Sequence, residues 1–585
     1  MTAQGKAGNH VIIVGGGLAG LSAAMKVCEL GGTVSLFSIV PVKRSHSVCA
    51  QGGINGAVNT KGQGDSPELH FKDTIKGGDF LANQKLPKLM CDAAPRIIYL
   101  FDRMGVTFNR TPEGLLDFRR FGGTLHHRTA FAGASTGQQL LYALDEQVRR
   151  YEAEGAVEKF EGWEYLRPVL DEEGICRGIV AVYMPTMELK VFKADAVLVA
   201  TGGPGLIFGK STNSAINTGG AAASTYACGA HYANGEFIQI HPTAIPGSDK
   251  LRLISESVRG EGGRVWVYRD GKPWYFLEEK YPRFGNLVPR DVASREIHDV
   301  VFNKGLGIDG KAMVYLDVTH LPKDYLDTKL KAVLEIYEKF AGFDPRKVPM
   351  KVFPGVHYSM GGLWVDDGHM TNLPGLFAAG EVDYQYHGAN RLGANSLVSC
   401  IFGGFYSAEK ILDYLGNQKK AGDKVAESVF TGAVRIEQEE FDRIKGMSGS
   451  ENCFRMLDQL GDLMTENVTI VRYNDKLKET DVKLQELQDR WSRTGIVDRG
   501  SRMNREILFT RQFKYMLALA RVITLGALKR DESRGSHYKP DFPDRNDEKF
   551  LKTTRAKFVG LTEAPEIAYE DVDISLMKPV ARKYD

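Results

Sequence analysis

The sequence predicts an α/β fold: a discontinuous nucleotide-binding domain of Rossmann type, an α+β insertion within it, then a helical domain and a C-terminal arm. Three observations lead there. Short apolar runs break into glycine clusters at three places far apart in the chain, near Gly15, Gly202 and Gly380. The 64 glycines concentrate in such clusters and thin out from about residue 430, where long amphipathic helical patterns take over. At 585 residues the chain is too long for one core and must divide into several.

The apolar run Val11 to Val14 reads as a buried parallel strand. Gly15-Gly16-Gly17-Leu18-Ala19-Gly20 follows, then a helical stretch over 21–30 and a second strand from Thr33 to Ser38, which completes a βαβ unit. A further strand, 196–200, runs into Thr201-Gly202-Gly203, and another, 376–379, runs into Gly380-Glu381. Three such junctions predict one nucleotide-binding domain in two parts, 1–234 and 356–430, with a capping insertion at 235–355. Helices over 451–468, 475–491 and 507–528 define a helical domain at 431–530. The tail 531–585 turns polar, carries Pro540 and Pro543, and reads as an extended, packed arm.

Composition narrows the function classes. With 43% apolar and 25% charged residues the chain is an ordinary globular protein, and a net charge of +2 gives no nucleic-acid footprint. Its seven cysteines (28, 49, 91, 176, 228, 400 and 453) contain no C-x-x-C pair, so no metal site is expected within the chain. Scattered cysteines fit a reducing compartment. The polar stretch before Val11 has no signal-like apolar core, and no apolar run approaches the roughly 18–20 residues that span a bilayer. Any membrane attachment is therefore expected to come through a partner.

Gly15-x-Gly17-x-x-Gly20 follows a strand and opens a helix, the setting in which glycines let a helix N-terminus meet a pyrophosphate. One departure is visible: the acidic residue that binds the ribose at the end of the second strand is replaced by Ser38. His46 lies in a glycine-flanked loop, and on its chemistry alone it reads as a hydrogen-bonded loop histidine. His241-Pro242-Thr243 and His357-Tyr358 border the insertion, and each histidine alone reads as a buried imidazole with a partner. Ser255-Glu256-Ser257-Val258-Arg259 and Pro289-Arg290-Asp291 read, by themselves, as surface ion pairs. His126 and His127 are adjacent, so on an extended chain they point to opposite faces and do not chelate together. Cys49 is expected to be a buried, inert thiol.

These motifs together change the balance. Arg44-Ser45-His46-Ser47-Val48-Cys49-Ala50-Gln51-Gly52-Gly53 resembles the histidyl-flavin loop of the succinate dehydrogenase and fumarate reductase flavoprotein subunits, and the resemblance extends over nearly the whole chain. It implies an FAD-binding Rossmann-type domain with FAD attached covalently through His46. Gly15, Gly17, Gly20, Ser38, Ser45, Gln51, Gly52, Glu381, Ser396 and Leu397 are implied as its other contacts. Asn217-Thr218-Gly219-Gly220 departs from the family's more usual Asn-Thr-Gly-Asp, so no cofactor role passes to position 220.

For the substrate, the resemblance implies a dicarboxylate clamp of His241, Ser255, His357 and Arg391, with Gly53 beside it. Arg290 exchanges the substrate proton, relayed through Glu256 and Arg259. Ser255 stands where the family commonly has threonine, and it keeps the hydroxyl. The implied activity is that of a succinate:quinone oxidoreductase, interconverting succinate and fumarate. The implied partners are an iron–sulfur subunit and a membrane cytochrome b anchor with quinone, which place the chain at the cytoplasmic face of the cell membrane.

The helical domain and the run Glu532-Ser533-Arg534-Gly535-Ser536-His537 are candidate docking surfaces for those partners. The segment Ser38 to Arg44 resembles the Gram-positive, menaquinone-linked type more than the mitochondrial one. Two related readings stay open: a fumarate reductase in the physiological direction, and an L-aspartate oxidase. The latter kind lacks the histidine found at position 46.

Overall fold

The computed structural model describes residues 9–247, 250–417 and 425–584. Most of the polar stretch before Val11 lies outside the described residues. A five-stranded parallel sheet runs in the order Leu376–Ala378, Ala196–Val199, His10–Val14, Thr33–Ser38, Val157–Glu161. Val11, Ile12 and Ile13 are fully buried, as an unbroken apolar run must be when helices cover both faces of a sheet. All three strand-to-glycine junctions expected from the sequence therefore end on one edge of one sheet.

The first helix is Leu18–Glu29, beginning three residues earlier than the sequence pattern suggests. Gly20 is the reason. A Cβ there would sit 1.8 Å from the Gly15 carbonyl oxygen, so a glycine that reads as loop instead lets the first helical turn close onto the strand end. Asn395–Asn417 packs across this helix where Gly404 faces the Ala19 carbonyl, with a virtual Cβ distance of 2.3 Å. That contact ties a helix late in the chain to the first βαβ unit.

A second, antiparallel sheet has six strands: Arg252–Leu253, Ile238–Ile245, Met350–Ser359, Val314–Asp317, Arg264–Arg269 and Lys272–Trp274. Its two long central strands pair so that His241 stands opposite Gly355, two residues from His357. Pairing across the whole insertion thus brings two remote histidines together. The helix Arg290–His298 packs on the same sheet, with Ser294 Oγ donating to the Ile240 carbonyl at 3.3 Å.

The helical region contains Glu427–Lys445, Cys453–Asn467, Asn474–Trp491 and Arg505–Lys529. Caps set two of the starts. The Asn452 side chain accepts from the amides of Phe454 (3.0 Å) and Arg455 (3.2 Å), and Asn504 accepts from Ile507 at 3.0 Å. A buried two-pronged ion pair, Arg511 to Glu437 at 2.8 and 2.9 Å, joins the last helix to the first. Among the described residues no helix is long and apolar enough to cross a membrane.

In the C-terminal arm, Lys552–Lys557 and Glu566–Asp571 pair antiparallel and extend a sheet begun by Gly362–Leu363 and Tyr232–Ala233. The run Glu532 to His537 differs from the docking surface expected of it. Glu532, Arg534 and His537 are buried, and Glu532 accepts from Arg530 (3.0 Å) and Arg534 (2.8 Å). Arg530 in turn donates to Glu236 at 2.8 Å. Alternating charges that look solvated in sequence neutralise one another here, which allows the run to be buried. Replacing Glu532 by alanine removes a carboxylate shared by two buried guanidinium groups and leaves Arg530 with Glu236 and Arg534 with Asp547. Because each arginine keeps one carboxylate, the cost should fall below the roughly 3–5 kcal/mol of a fully broken buried pair, read as a lower calorimetric unfolding midpoint with the flavin site intact.

Candidate active site

A cavity of about 590 Å³ lies where the parallel sheet meets the antiparallel one, within the range of small-molecule sites. At one end it is lined by Gly15, Gly16 and Gly17, by the start of the helix Leu18–Glu29, and by Ser38. Gly17 is the helix N-cap and supplies no side-chain cap, so the helix N-terminus opens toward the cavity. Gly20, whose role is packing, is not on the wall. Ser38 Oγ donates to the Val40 carbonyl at 2.6 Å.

The middle of the cavity is lined by Ser45, His46, Gln51, Gly52 and Gly53 from one loop, and by Glu381, Ser396 and Leu397 from the body. His46 Nδ1 accepts from the Ser214 amide at 3.2 Å, which leaves Nε2 as the substitutable nitrogen. Burial, aided by Lys250, pulls the His46 pKa down to about 4, so the imidazole is neutral. Gln51 Nε2 donates to the Leu253 carbonyl at 3.2 Å, while Gln51 Oε1 and Ser45 Oγ are buried without a partner among the described residues. Gly53 has φ +133°, and a Cβ there would meet the Ala130 carbonyl at 2.5 Å. The Ser359 amide donates to Glu381 at 3.0 Å, yet burial pushes that carboxyl up to about 7.

The far end is cationic and dry. Arg290 Nε donates to Glu256 Oε2 at 2.7 Å, and Arg259 Nη2 donates to Glu256 Oε1 at 2.7 Å, giving one continuous line of three buried charged groups. Burial favours a protonated Glu256, but the Arg290 and Arg259 charges outweigh it and hold the carboxyl below its usual range. Arg391 lies 4.4 Å over the Tyr358 ring, and burial followed by the nearby Arg290 charge lowers its pKa to about 9. The His241 and His357 rings are 5.0 Å apart. Burial, then Arg290, holds both imidazoles well below their usual range. His241 Nε2 and Arg391 Nε are buried without a partner among the described residues. Ser255 lines the same wall, its Oγ accepting from Ser257 Oγ at 2.8 Å.

Comparison with known proteins follows this geometry. Residues 10–397 match the family described as FAD binding domain, and residues 457–584 match the fumarate reductase flavoprotein C-terminus. The succinate dehydrogenase flavoprotein subunit of Bacillus subtilis is 64% identical over 576 residues, covering 98% of each chain. The chain belongs to the succinate dehydrogenase and fumarate reductase flavoprotein family. Among solved structures, Escherichia coli quinol fumarate reductase superposes with a TM-score of 0.90 at 31% identity, covering 98% of each chain. A Mycobacterium smegmatis Sdh1 complex gives 0.83 at 28% identity, covering 98% of this chain and 95% of that one.

Membership in this family makes the cofactor FAD, and the cavity fits it. The open helix N-terminus suits a pyrophosphate, and the unpartnered Ser45 and Gln51 atoms are polar groups awaiting a ligand. The cationic end, with three guanidinium groups against Glu256, suits a small dianion beside the flavin ring.

Sequence reasoning missed several groups. Gln239 accepts from Arg290 Nη1 at 2.9 Å and donates to the Arg391 carbonyl at 2.7 Å, so it links the two arginines. Its position two residues before His241 on one strand was the available signal. Thr212 Oγ1 pairs with His357 Nδ1 at 2.7 Å, and the Thr243 amide donates to His241 Nδ1 at 3.2 Å; no sequence pattern marks the first of these. At the fingerprint end, Glu164 and Gln512, 2.7 Å apart, line the cavity, and Gln512 Cγ lies 3.3 Å from a virtual Cβ on Gly220. A side chain at 220 would require Gln512 to shift slightly.

The charged motifs around Glu256 and Arg290 are buried, because each guanidinium finds a carboxylate or a backbone carbonyl. One expectation is corrected. Cys49 is exposed and lines the cavity, rather than being buried, and desolvation raises its pKa.

Glu381 predicts a pH dependence. Its folded pKa, raised to about 7, lies above the ordinary 4.5. The protonated side chain therefore contributes stability that is complete below pH 4.5 and is lost as pH rises through 7. For flavin-free protein, Glu381→Gln should flatten the fall in unfolding midpoint across that window, measured by scanning fluorimetry at stepped pH.

Proposed function

We propose that the chain is the flavoprotein subunit that oxidises succinate to fumarate, reversibly, in a succinate:quinone oxidoreductase. The observation that carries this is the buried Arg290–Glu256–Arg259 line opening beside Arg391, His241 and His357. FAD, when bound, supplies the acceptor for a hydride from one substrate carbon. The residues do the rest. Arg391, His241, Ser255 and His357 hold the two carboxylates, with Gly53 at the wall.

Arg290 takes the proton from the adjacent carbon. An arginine is a poor base because its pKa is above about 12, so this step relies on the capping segment 235–355 to exclude water and on Glu256, 2.7 Å away, to take the proton on. Glu256 receives the proton and Arg259 carries it toward the loop at Asn286, whose carbonyl Arg259 Nη1 contacts at 2.7 Å. In the reverse direction the same groups deliver it.

His46 is the covalent attachment point. An imidazole substituted at Nε2 is neutral and keeps its lone pair on Nδ1, as the Ser214 amide requires. Gly15, Gly17, Gly20, Ser38, Ser45, Gln51, Gly52, Glu381, Ser396 and Leu397 complete the cofactor site, Gly20 by packing the helix.

Electrons leave through partners. Relatives are named as subunits, and one similar structure is titled quinol-fumarate reductase with menaquinol molecules. An iron–sulfur subunit and a membrane cytochrome b anchor using menaquinone are the partners we propose. They would hold this chain at the cytoplasmic face of the membrane.

Anaerobic succinate should bleach the flavin of the purified chain, and L-aspartate with oxygen should yield no peroxide; the opposite pattern would mark an aspartate oxidase. Arg290→Gln should retain flavin but lose about 10²–10⁴-fold in turnover, the usual worth of a positioned acid or base. In His46→Gln, acid precipitation should release the flavin into the supernatant, whereas in the unmodified protein it should stay with the pellet.

A further inference from the structure

The last described residues reach the helix that begins with Arg290, which no motif in the sequence foretells. Arg582 donates to both oxygens of Asp291, Nη1 to Oδ2 at 2.5 Å and Nη2 to Oδ1 at 3.0 Å. Asp291 is the residue after Arg290 and lies in the first turn of the helix Arg290–His298. Both partners of the pair are buried, with side chains 8% and 1% exposed. Arg582 Nε also donates to the Tyr584 hydroxyl at 3.0 Å, and the Tyr584 ring packs edge-on to Phe284 at 5.3 Å. Phe284 begins the loop that holds the Asn286 carbonyl, the acceptor for Arg259. One short segment therefore grips both ends of the loop that presents Arg290 and receives Arg259.

The other end of this segment is fixed to the flavin-binding body. Gln84, fully buried, accepts from the amides of Leu576 (3.0 Å) and Met577 (2.7 Å) and donates to the Met577 carbonyl at 2.7 Å. The Asp573 amide donates to Asn83 at 2.9 Å. Between the two anchorages Val580 is half exposed. The geometry is that of a strap from the body at Gln84 to the insertion at Asp291.

We infer that Arg582 is a positioning residue for Arg290, acting through Asp291, and that residues 576–584 strap the capping segment over the site. A two-pronged guanidinium–carboxylate pair fixes orientation as well as charge. Without it Asp291 keeps, among the described residues, only Arg295, at 3.4 Å, as an ion-pair partner. A buried carboxylate freed next to Arg290 would compete with Glu256 for that guanidinium and draw it from the substrate. The inference rests on the succinate-oxidising reading above.

The test uses flavin-loaded protein and a soluble dye as electron acceptor, with rates expressed per bound flavin. Arg582→Gln should lower kcat at least tenfold and weaken binding of malonate, a non-reacting dianion, while flavin content and absorbance stay unchanged. Arg582→Lys, which keeps the charge but not the fork, should fall between. A per-flavin kcat for Arg582→Gln within twofold of the unmodified protein overturns the inference.

Should that variant lose its flavin, hydrogen exchange on the unmodified protein decides. Malonate should slow exchange at 578–584 together with 284–292, and protection of 284–292 alone overturns the strap. Unmodified protein that shows no succinate-dependent reduction overturns the functional reading, and this inference with it.

Discussion

The rest of the active site is organised around one buried charge imbalance. Glu256 is a single carboxylate shared by Arg259 and Arg290, each at 2.7 Å, and Arg391 stands nearby without an ion-pair carboxylate of its own among the described residues. A dry pocket with surplus guanidinium charge is costly until an anion enters. The structure manages that cost through neutral histidines, a cation–π contact on Tyr358 and the amide of Gln239. The same surplus makes a dicarboxylate the natural ligand.

That arrangement depends on two bodies meeting at a fixed angle. Gln239 and His241 come from a strand of the insertion, Arg391 from the body, and Arg290 from a helix packed on the insertion's sheet. Close backbone contacts hold the body side rigid. The Gly20–Gly15 and Gly404–Ala19 approaches lock the first helix against both the sheet and the helix that begins at Asn395. The insertion is held by two long paired strands and, at its loop 284–291, by a C-terminal segment attached to the body at Gln84.

Buried ion pairs recur far from the site. Arg511–Glu437 and the Arg530–Glu532–Arg534 group join the helical region and arm to the core. Such pairs contribute little net stability against apolar replacements, but breaking one leaves a stranded charge, so they enforce a single register. The run Glu532 to His537 reads in sequence as a candidate docking surface because charge in a sequence carries no sign of burial.

By itself the sequence determined the βαβ unit, the glycine fingerprint, the antiparallel insertion's approximate position and the helical patterns, because these are local consequences of apolar spacing and of glycine's missing side chain. It also nominated His46, His241, Glu256, Arg290, His357 and Arg391, through the resemblance of whole motifs rather than through any single residue. Only the tertiary structure decided which groups touch. Gln239 between two arginines, Thr212 behind His357, Gln512 beside Gly220 and Arg582 on Asp291 all join residues remote in sequence or carry no motif of their own. Hydrogen bonds and ion pairs are short-range in space, and one chain's residue order does not record which distant side chains packing will bring within 3 Å.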